Sequence, residues 1–232
     1  MSKAANENKN IDTVIFDYDG TLADTNRMVI ESWQYTYKTL LGHEEDVEKI
    51  RSSFGEALVE TMAREFPDTP TDEALRIYRE FQWEKFKGAV DPVPGMLDIV
   101  REIKNRGYKL GIVTSRLRGS THRGLKYLGM DDLFDAIIAC EDTDKHKPLP
   151  EPVFLCLDRL GSDAEHSVMI GDSMFDIDCA HNAGVKAILV EWTGAAGTDL
   201  AEGERAPEYK VAEAEDILNV LEEMNSDEQR GA

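Results

Sequence analysis

The spacing of apolar positions changes character along this chain. Thr13 to Phe16 ends in an unbroken apolar run, the pattern of a strand buried on both faces. From about Thr25 the spacing turns helical: Met28, Val29, Trp33, Tyr37, Leu40 and Leu41 recur near one period, Leu58, Met62 and Phe66 do so again, and Leu75, Tyr78, Phe81 and Phe86 mark a later helix. Gly42-His43, Phe54-Gly55 and the stretch from Pro67 to Pro70 break this long helical segment, which reaches to about Lys87. Its aromatic and Met stripes read as packing between helices.

Asp91-Pro92-Val93-Pro94-Gly95 forms a hinge-like passage, after which helix and strand patterns alternate. Helices are expected over about Met96 to Arg106, Gly119 to Leu128, Pro152 to Leu160, Phe175 to Ala183 and Ala214 to Met224. Strands are expected over Tyr108 to Thr114, Phe134 to Ala139, Ser167 to Ile170 and Ala187 to Val190. Such alternation means βαβ units and a parallel sheet. The fold class is α/β, a Rossmann-like parallel sheet core with an all-helical cap inserted after the first strand. Residues 1–24 and 90–232 are assigned to the core and residues 25–89 to the cap.

Composition narrows the partners. The 232 residues suffice for one large domain with an insertion. A net charge of -20 argues against nucleic acid and anionic membranes, which are held by surplus Lys and Arg. Met1 to Asn10 is polar, without the apolar core of a signal or anchor, and no segment is long enough to span a bilayer. Cys140, Cys156 and Cys179 are odd in number and unpatterned, which suits free thiols in a reducing cytoplasm. His43, His122, His146, His166 and His181 show no metal-ligand spacing, and the end from about Ser226 reads as a polar, frayed tail.

Candidate chemistry gathers where strands end. Asp17-Tyr18-Asp19-Gly20-Thr21-Leu22 follows the first apolar run, and Gly20 permits a turn that brings alternate carboxylates toward one crevice. Two carboxylates and a hydroxyl there suit magnesium-assisted phosphoryl transfer, although an isolated Asp-x-Asp more often marks a solvated turn. Three further clusters agree: Thr114-Ser115, Lys147-Pro148, and Gly171-Asp172-Ser173-Met174-Phe175-Asp176. In an open α/β sheet, loops at the carboxyl ends of strands converge on one crevice.

This ordered set resembles the haloacid dehalogenase-like hydrolase superfamily over nearly the whole chain. The resemblance implies Asp17 as nucleophile and Asp19 as the acid and base that protonates the leaving oxygen and then activates water. It implies Mg2+ held by the carboxylates of Asp17 and Asp172 and the main-chain carbonyl of Asp19, with Asp176 orienting that shell. Thr114, Ser115 and Lys147 would hold the phosphate oxygens of a small-molecule substrate. Arg116 and Arg118 are ambiguous, with the surface reading slightly favoured.

Within the superfamily the chain looks most like the phosphoglycolate phosphatase branch with its pyrophosphatase members. Thr25-Asn26, Gly107 to Thr114, Pro150-Glu151-Pro152-Val153 and Trp192-Thr193 carry that finer likeness. Leu149 departs from it, standing where an acid is common, and the cap loop reads Ser53-Phe54-Gly55-Glu56-Ala57. Glu56 would repel a second anionic group unless Arg51 or a cap Lys offsets it. A sugar-phosphate mutase of the β-phosphoglucomutase type is the first alternative. Gly171 argues against it, since that branch usually has an acid there. A catalytically silent binding protein is the second, and the retained Asp17 and Lys147 argue against that.

Overall fold

Thr13, Val14, Ile15 and Phe16 are all buried, as a central strand covered on both faces must be. The computed structural model describes residues 10–85, 90–193 and 203–226. In chain order its elements are β1 (Thr13–Phe16), β2 (Ala23–Asp24), α1 (Asn26–Leu41), α2 (Val47–Arg51), α3 (Leu58–Glu65), α4 (Thr71–Lys85), β3 (Asp91–Pro92), α5 (Met96–Asn105), β4 (Lys109–Val113), α6 (Arg118–Leu128), β5 (Ala136–Ile138), α7 (Glu151–Leu160), β6 (Ser167–Gly171), α8 (Met174–Asn182), β7 (Lys186–Val190), β8 (Tyr209–Val211) and α9 (Asp216–Ser226). The helix at Phe86 and Lys87 and the chain beyond Ser226, both assigned from sequence, lie outside the described residues.

Six strands form a parallel sheet in the order β5-β4-β1-β6-β7-β8. Side chains alternate across it, so Val14 and Phe16 join one apolar layer and Ile15 the other. The first layer is completed by α5, α6 and α9 through Val100, Leu125 and Leu221, the second by α7 and α8 through Val153, Cys156 and Ile177. From β1 the sheet grows through β4 on one side and β6 on the other. The carboxyl ends of β1, β4 and β6 therefore lie side by side at the point where strand order reverses, where a crevice opens.

The helical stretch after β1 is four helices, α1 to α4, around their own apolar cluster of Trp33, Tyr37, Ile50, Met62, Phe66, Ala74, Leu75 and Tyr78. Trp33 stacks on Phe66 at 6.2 Å between centroids and meets Tyr78 edge-on at 5.4 Å. Gly42, at φ +78, ends α1, and its N–H donates to the Lys38 carbonyl. Asp46 caps α2 by accepting from the N–H groups of Glu48 and Lys49.

Two features exceed the sequence expectation. Ala23 pairs with Pro92 and Asp24 with Asp91, so β2 and β3 make a two-residue antiparallel ribbon that ties together the two chain segments leading into and out of the helices. β8 extends the sheet beyond β7. Strands of two or three residues are too short to show a period. None of the described helices is long and apolar enough to cross a membrane.

Candidate active site

Gly20 decides how the loop after β1 meets the end of β6. It sits at φ +78, and a Cβ there would lie 1.9 Å from Asp172 Oδ2, so only glycine permits both the turn and the approach. The Asp17 N–H donates to the Ile170 carbonyl at 2.9 Å, and Trp192 Nε1 donates to the Gly20 carbonyl at 2.9 Å. Asp17 and Asp172, far apart in sequence, are thereby brought together.

Lys147 links these carboxylates to a third. Its Nζ donates to Asp17 Oδ1 at 2.9 Å and to Asp176 Oδ1 at 2.6 Å, and all three side chains are buried. The other oxygen of Asp176 accepts from the Ser173 hydroxyl at 2.6 Å and the Ser173 N–H at 3.1 Å at the start of α8. Thr193 Oγ1 donates to Asp172 Oδ2 at 2.9 Å. Carboxylate oxygens of Asp17, Asp172 and Asp176 lie within 4.8 Å of one another.

Charge is unbalanced in this cluster. Burial, with the charges of Asp176 and Asp19, pushes Asp17 up to about 7 against the pull of Lys147. Burial and the neighbouring Asp176 and Asp17 push Asp172 well above the usual carboxylate range. Burial disfavours the Lys147 charge, yet Asp17 and Asp176 more than offset it and raise Lys147 above the ordinary lysine value. Three buried carboxylates facing one ammonium, with no thiol or imidazole among them, form a hard-oxygen set that fits a magnesium-type cation. Asp176, expected to stand behind the metal ligands, lies within this triad. Asp19 does not contribute its carboxylate to it.

Asp19 instead turns to Arg116, whose Nη1 donates to Asp19 Oδ1 at 2.9 Å. The surface reading of Arg116 is therefore corrected: its side chain is only 7% exposed, and its guanidinium lies 5.3 Å from the centre of the Tyr18 ring. Sequence could show the residue but not a partner 97 positions away. Thr114 Oγ1 accepts from the Arg116 N–H at 3.2 Å, which leaves its own proton to donate. Ser115 Oγ donates to the Gly55 carbonyl at 2.9 Å and so fastens the helical insertion over the strand ends. Arg118 pairs with Asp142 and keeps the surface role.

A cavity of about 490 Å³ lies between these strand ends and the insertion. Asp17, Asp19, Thr114, Ser115, Lys147 and Asp172 line its floor, and α1, α3, α4 and the loop around Gly55 supply its wall. Asp176 and His146 are not among its lining residues. Glu56 faces the cavity, but the compensating charge is not Arg51, whose Nε lies 3.6 Å from Glu48. Arg64 donates through Nη1 at 2.5 Å and Nη2 at 2.8 Å to the two Glu56 oxygens, and Thr61 adds a third bond at 2.7 Å. That pairing, led by the Arg64 hydrogen bonds, holds Glu56 below its usual range. Cys140, read from the sequence as a free thiol, is half-buried and also lines the cavity.

A family model described as haloacid dehalogenase-like hydrolase matches residues 14–190. Pyrophosphatase PpaX of Bacillus pumilus is 35% identical over 216 residues, covering 91% of this chain and 96% of that protein. A solved haloacid dehalogenase-like family hydrolase of Streptococcus pneumoniae superposes with a TM-score of 0.78 at 24% identity, covering 91% of this chain and 99% of its own. β-Phosphoglucomutase of Clostridium difficile superposes with a TM-score of 0.79 at 20% identity, covering 94% and 98%. At those identities the two structures show the fold alone.

Proposed function

The chain belongs to the haloacid dehalogenase-like hydrolase family, and we propose that, as a phosphatase of that family, it is a magnesium-dependent phosphohydrolase acting through a phosphoaspartate on Asp17. Its substrate on this reading is a small phosphorylated metabolite or pyrophosphate. The observation that carries the proposal is the buried Lys147 bridge from Asp17 to Asp176, beside Asp172 and beneath the cavity.

An oxygen of Asp17 attacks phosphorus, the bond to the leaving oxygen breaks, and Asp19 gives that oxygen its proton. Water then attacks the phosphoaspartate, Asp19 takes back a proton, and phosphate leaves with the Asp17 carboxylate restored. Arg116 holds only one Asp19 oxygen and keeps the acid pointed into the cavity while the other handles the proton. Lys147 and Thr114 offer donors to the phosphate oxygens, where charge spreads in the transition state. A magnesium ion held by Asp17 and Asp172, with Asp176 and the Asp19 main chain beside them, would supply the charge neutralisation that lets an anionic nucleophile meet an anionic phosphate.

The 35% identity to a pyrophosphatase supports the anhydride arm, and the cavity supports an ester arm. The mutase alternative is disfavoured. A Cβ at Gly171 would lie 2.3 Å from Asp176 Cβ, so the acidic side chain usual in that branch would displace Asp176. Phosphate release from pyrophosphate, phosphoglycolate and a panel of sugar phosphates tests the reading. Turnover is expected with magnesium and lost on chelation, and undiminished release in excess chelator would overturn it.

A further inference from the structure

Tyr18 stands between Asp17 and Asp19, and it is held there at a cost. It is fully buried in the apolar layer on the α6 side of the sheet, and its hydroxyl has no hydrogen-bond partner among the described residues. A buried hydroxyl without a partner lowers stability, and phenylalanine would fill the same apolar place without one. Gly124 lies inside α6, where glycine weakens a helix relative to alanine. A Cβ at that position would lie 1.9 Å from the Tyr18 hydroxyl oxygen and 2.6 Å from its Cζ. The helix thus forgoes a side chain at the point where the ring ends.

The ring lies against the partner of Asp19. The Arg116 guanidinium is 5.3 Å from the ring centre, within the reach of a cation–π contact. The Arg116 main chain is fixed, its N–H donating to Thr114 Oγ1 at 3.2 Å and its carbonyl accepting from the Cys140 N–H at 3.0 Å. The long side chain is held less completely: Nη1 donates to Asp19 Oδ1 at 2.9 Å, whereas the buried Nε has no acceptor among the described residues. One hydrogen bond lets a guanidinium swing about it, and a ring packed against it removes that freedom. The Tyr18 carbonyl accepts from the N–H groups of Leu22 and Ala23 at 3.0 and 3.2 Å, so the ring is planted on the same turn that carries Asp19.

We propose that Tyr18 is a positioning residue for the acid: its ring seats the Arg116 guanidinium, and Arg116 in turn fixes which oxygen of Asp19 carries the proton. This rests on the phosphohydrolase reading above. A carboxyl group whose Oδ1 accepts from Arg116 keeps its proton on Oδ2, and Asp19 lines the cavity. In the transfer an Asp17 oxygen bonds to phosphorus, the bond from phosphorus to the leaving oxygen breaks, and the Oδ2 proton passes to that oxygen. A guanidinium that swings off the ring lets the carboxyl turn, and the proton is then delivered out of line. Tyr18 itself is not among the residues lining the cavity and acts only through Arg116.

Leaving groups separate positioning from packing. Benzyl phosphate needs a proton on its leaving oxygen, 4-nitrophenolate leaves its phosphate ester without one, and the two substrates are alike in size. Measured with magnesium, kcat/KM covers only the steps through transfer to Asp17, so the later hydrolysis does not enter. In Tyr18→Leu the ratio of the 4-nitrophenyl value to the benzyl value rises about tenfold or more above that of the unsubstituted chain. Tyr18→Phe keeps the ring and with it the parent ratio. Gly124→Ala displaces the ring from a position that does not line the cavity, and it raises the ratio as Tyr18→Leu does. A crystal structure of Tyr18→Leu shows Arg116 Nη1 beyond hydrogen-bond reach of Asp19 Oδ1. The parent ratio in Tyr18→Leu or Gly124→Ala, a Tyr18→Phe ratio as high as that of Tyr18→Leu, or an unchanged Arg116–Asp19 bond in Tyr18→Leu would overturn the role. If the unsubstituted chain releases phosphate from neither ester nor from any member of the panel above, the hydrolase reading fails, and the crystal structure still decides whether the ring seats Arg116.

Discussion

The core and the helical insertion treat an acid in opposite ways. At the sheet, Asp17 is buried among other carboxylates with one ammonium between them, and it is pushed up to about 7. In the insertion, Glu56 sits in a two-pronged grip from Arg64 and is held below its usual range. Excess negative charge at the floor creates demand for a cation and an electrophile. On the wall, the charge of Glu56 is neutralised by Arg64. On the proposed reading, reactivity lies where backbone strand ends hold the groups, and selectivity where side chains of separate helices meet.

Removing Asp17, the proposed nucleophile, should break this contrast most completely. Asp17→Asn is expected to cut phosphate release on the order of 10⁴-fold or more, measured at saturating magnesium, because the covalent step has no substitute. Its melting temperature in metal-free buffer should not fall, since the change removes a buried carboxylate that folding disfavours. Turnover within tenfold of the unsubstituted chain would show that the chemistry lies elsewhere.

Lys147→Met comes next, because it strands two buried acids. Asp17 and Asp176 would lose their shared counter-charge, at a cost of about 3–5 kcal/mol of stability. A drop in melting temperature of roughly ten degrees should accompany a loss of about 10²–10³-fold in turnover. A variant as stable as the parent would mean that the bridge contributes little to folding.

The strand-end positions were legible because each of Asp17, Thr114, Lys147 and Asp172 is announced locally, by an apolar run and a turn or polar pair. The topology then does the converging. Arg116 to Asp19, Thr193 to Asp172 and Arg64 to Glu56 were not legible in the same way. Each depends on which side chain the folded backbone delivers opposite another, and the polar residue alone has the same sequence appearance as a solvated one. Trp192-Thr193 was noticed as part of a likeness, while its bonds to the Gly20 carbonyl and to Asp172 give it a physical task. The β2–β3 ribbon escaped because two residues carry no periodicity.

Acid titration sharpens the same comparison with a smaller effect. Asp17 has a folded pKa raised above its unfolded value, so its contribution to stability is complete below about pH 4 and is lost as pH rises through about 7. In chelator, the unsubstituted chain should lose on the order of a few kcal/mol over that window relative to Asp17→Asn, read from urea unfolding at a series of pH values. A constant difference between the two proteins from about pH 4 to pH 8 would contradict the raised value.

Glu56 runs the other way and supplies the smallest effect. Its folded pKa is depressed by the Arg64 hydrogen bonds, so its contribution is present above the ordinary glutamate range and is lost as pH falls through the folded value. Arg64 is half exposed, and the pair should be worth at most about 1 kcal/mol, a shift of roughly 2–4 °C in melting temperature. The functional consequence is more telling than the stability. Arg64→Gln leaves Glu56 ionised at the cavity wall without Arg64, and KM for an anionic phosphorylated substrate should rise about two- to fivefold with kcat little changed. Adding Glu56→Gln removes the unpaired charge and should return KM toward the parent value, a non-additivity that simple loosening of the insertion would not produce. If the double variant is no better than Arg64→Gln alone, Glu56 does not act on the substrate through its charge, and the wall's contribution must be sought in Trp83 and Arg123.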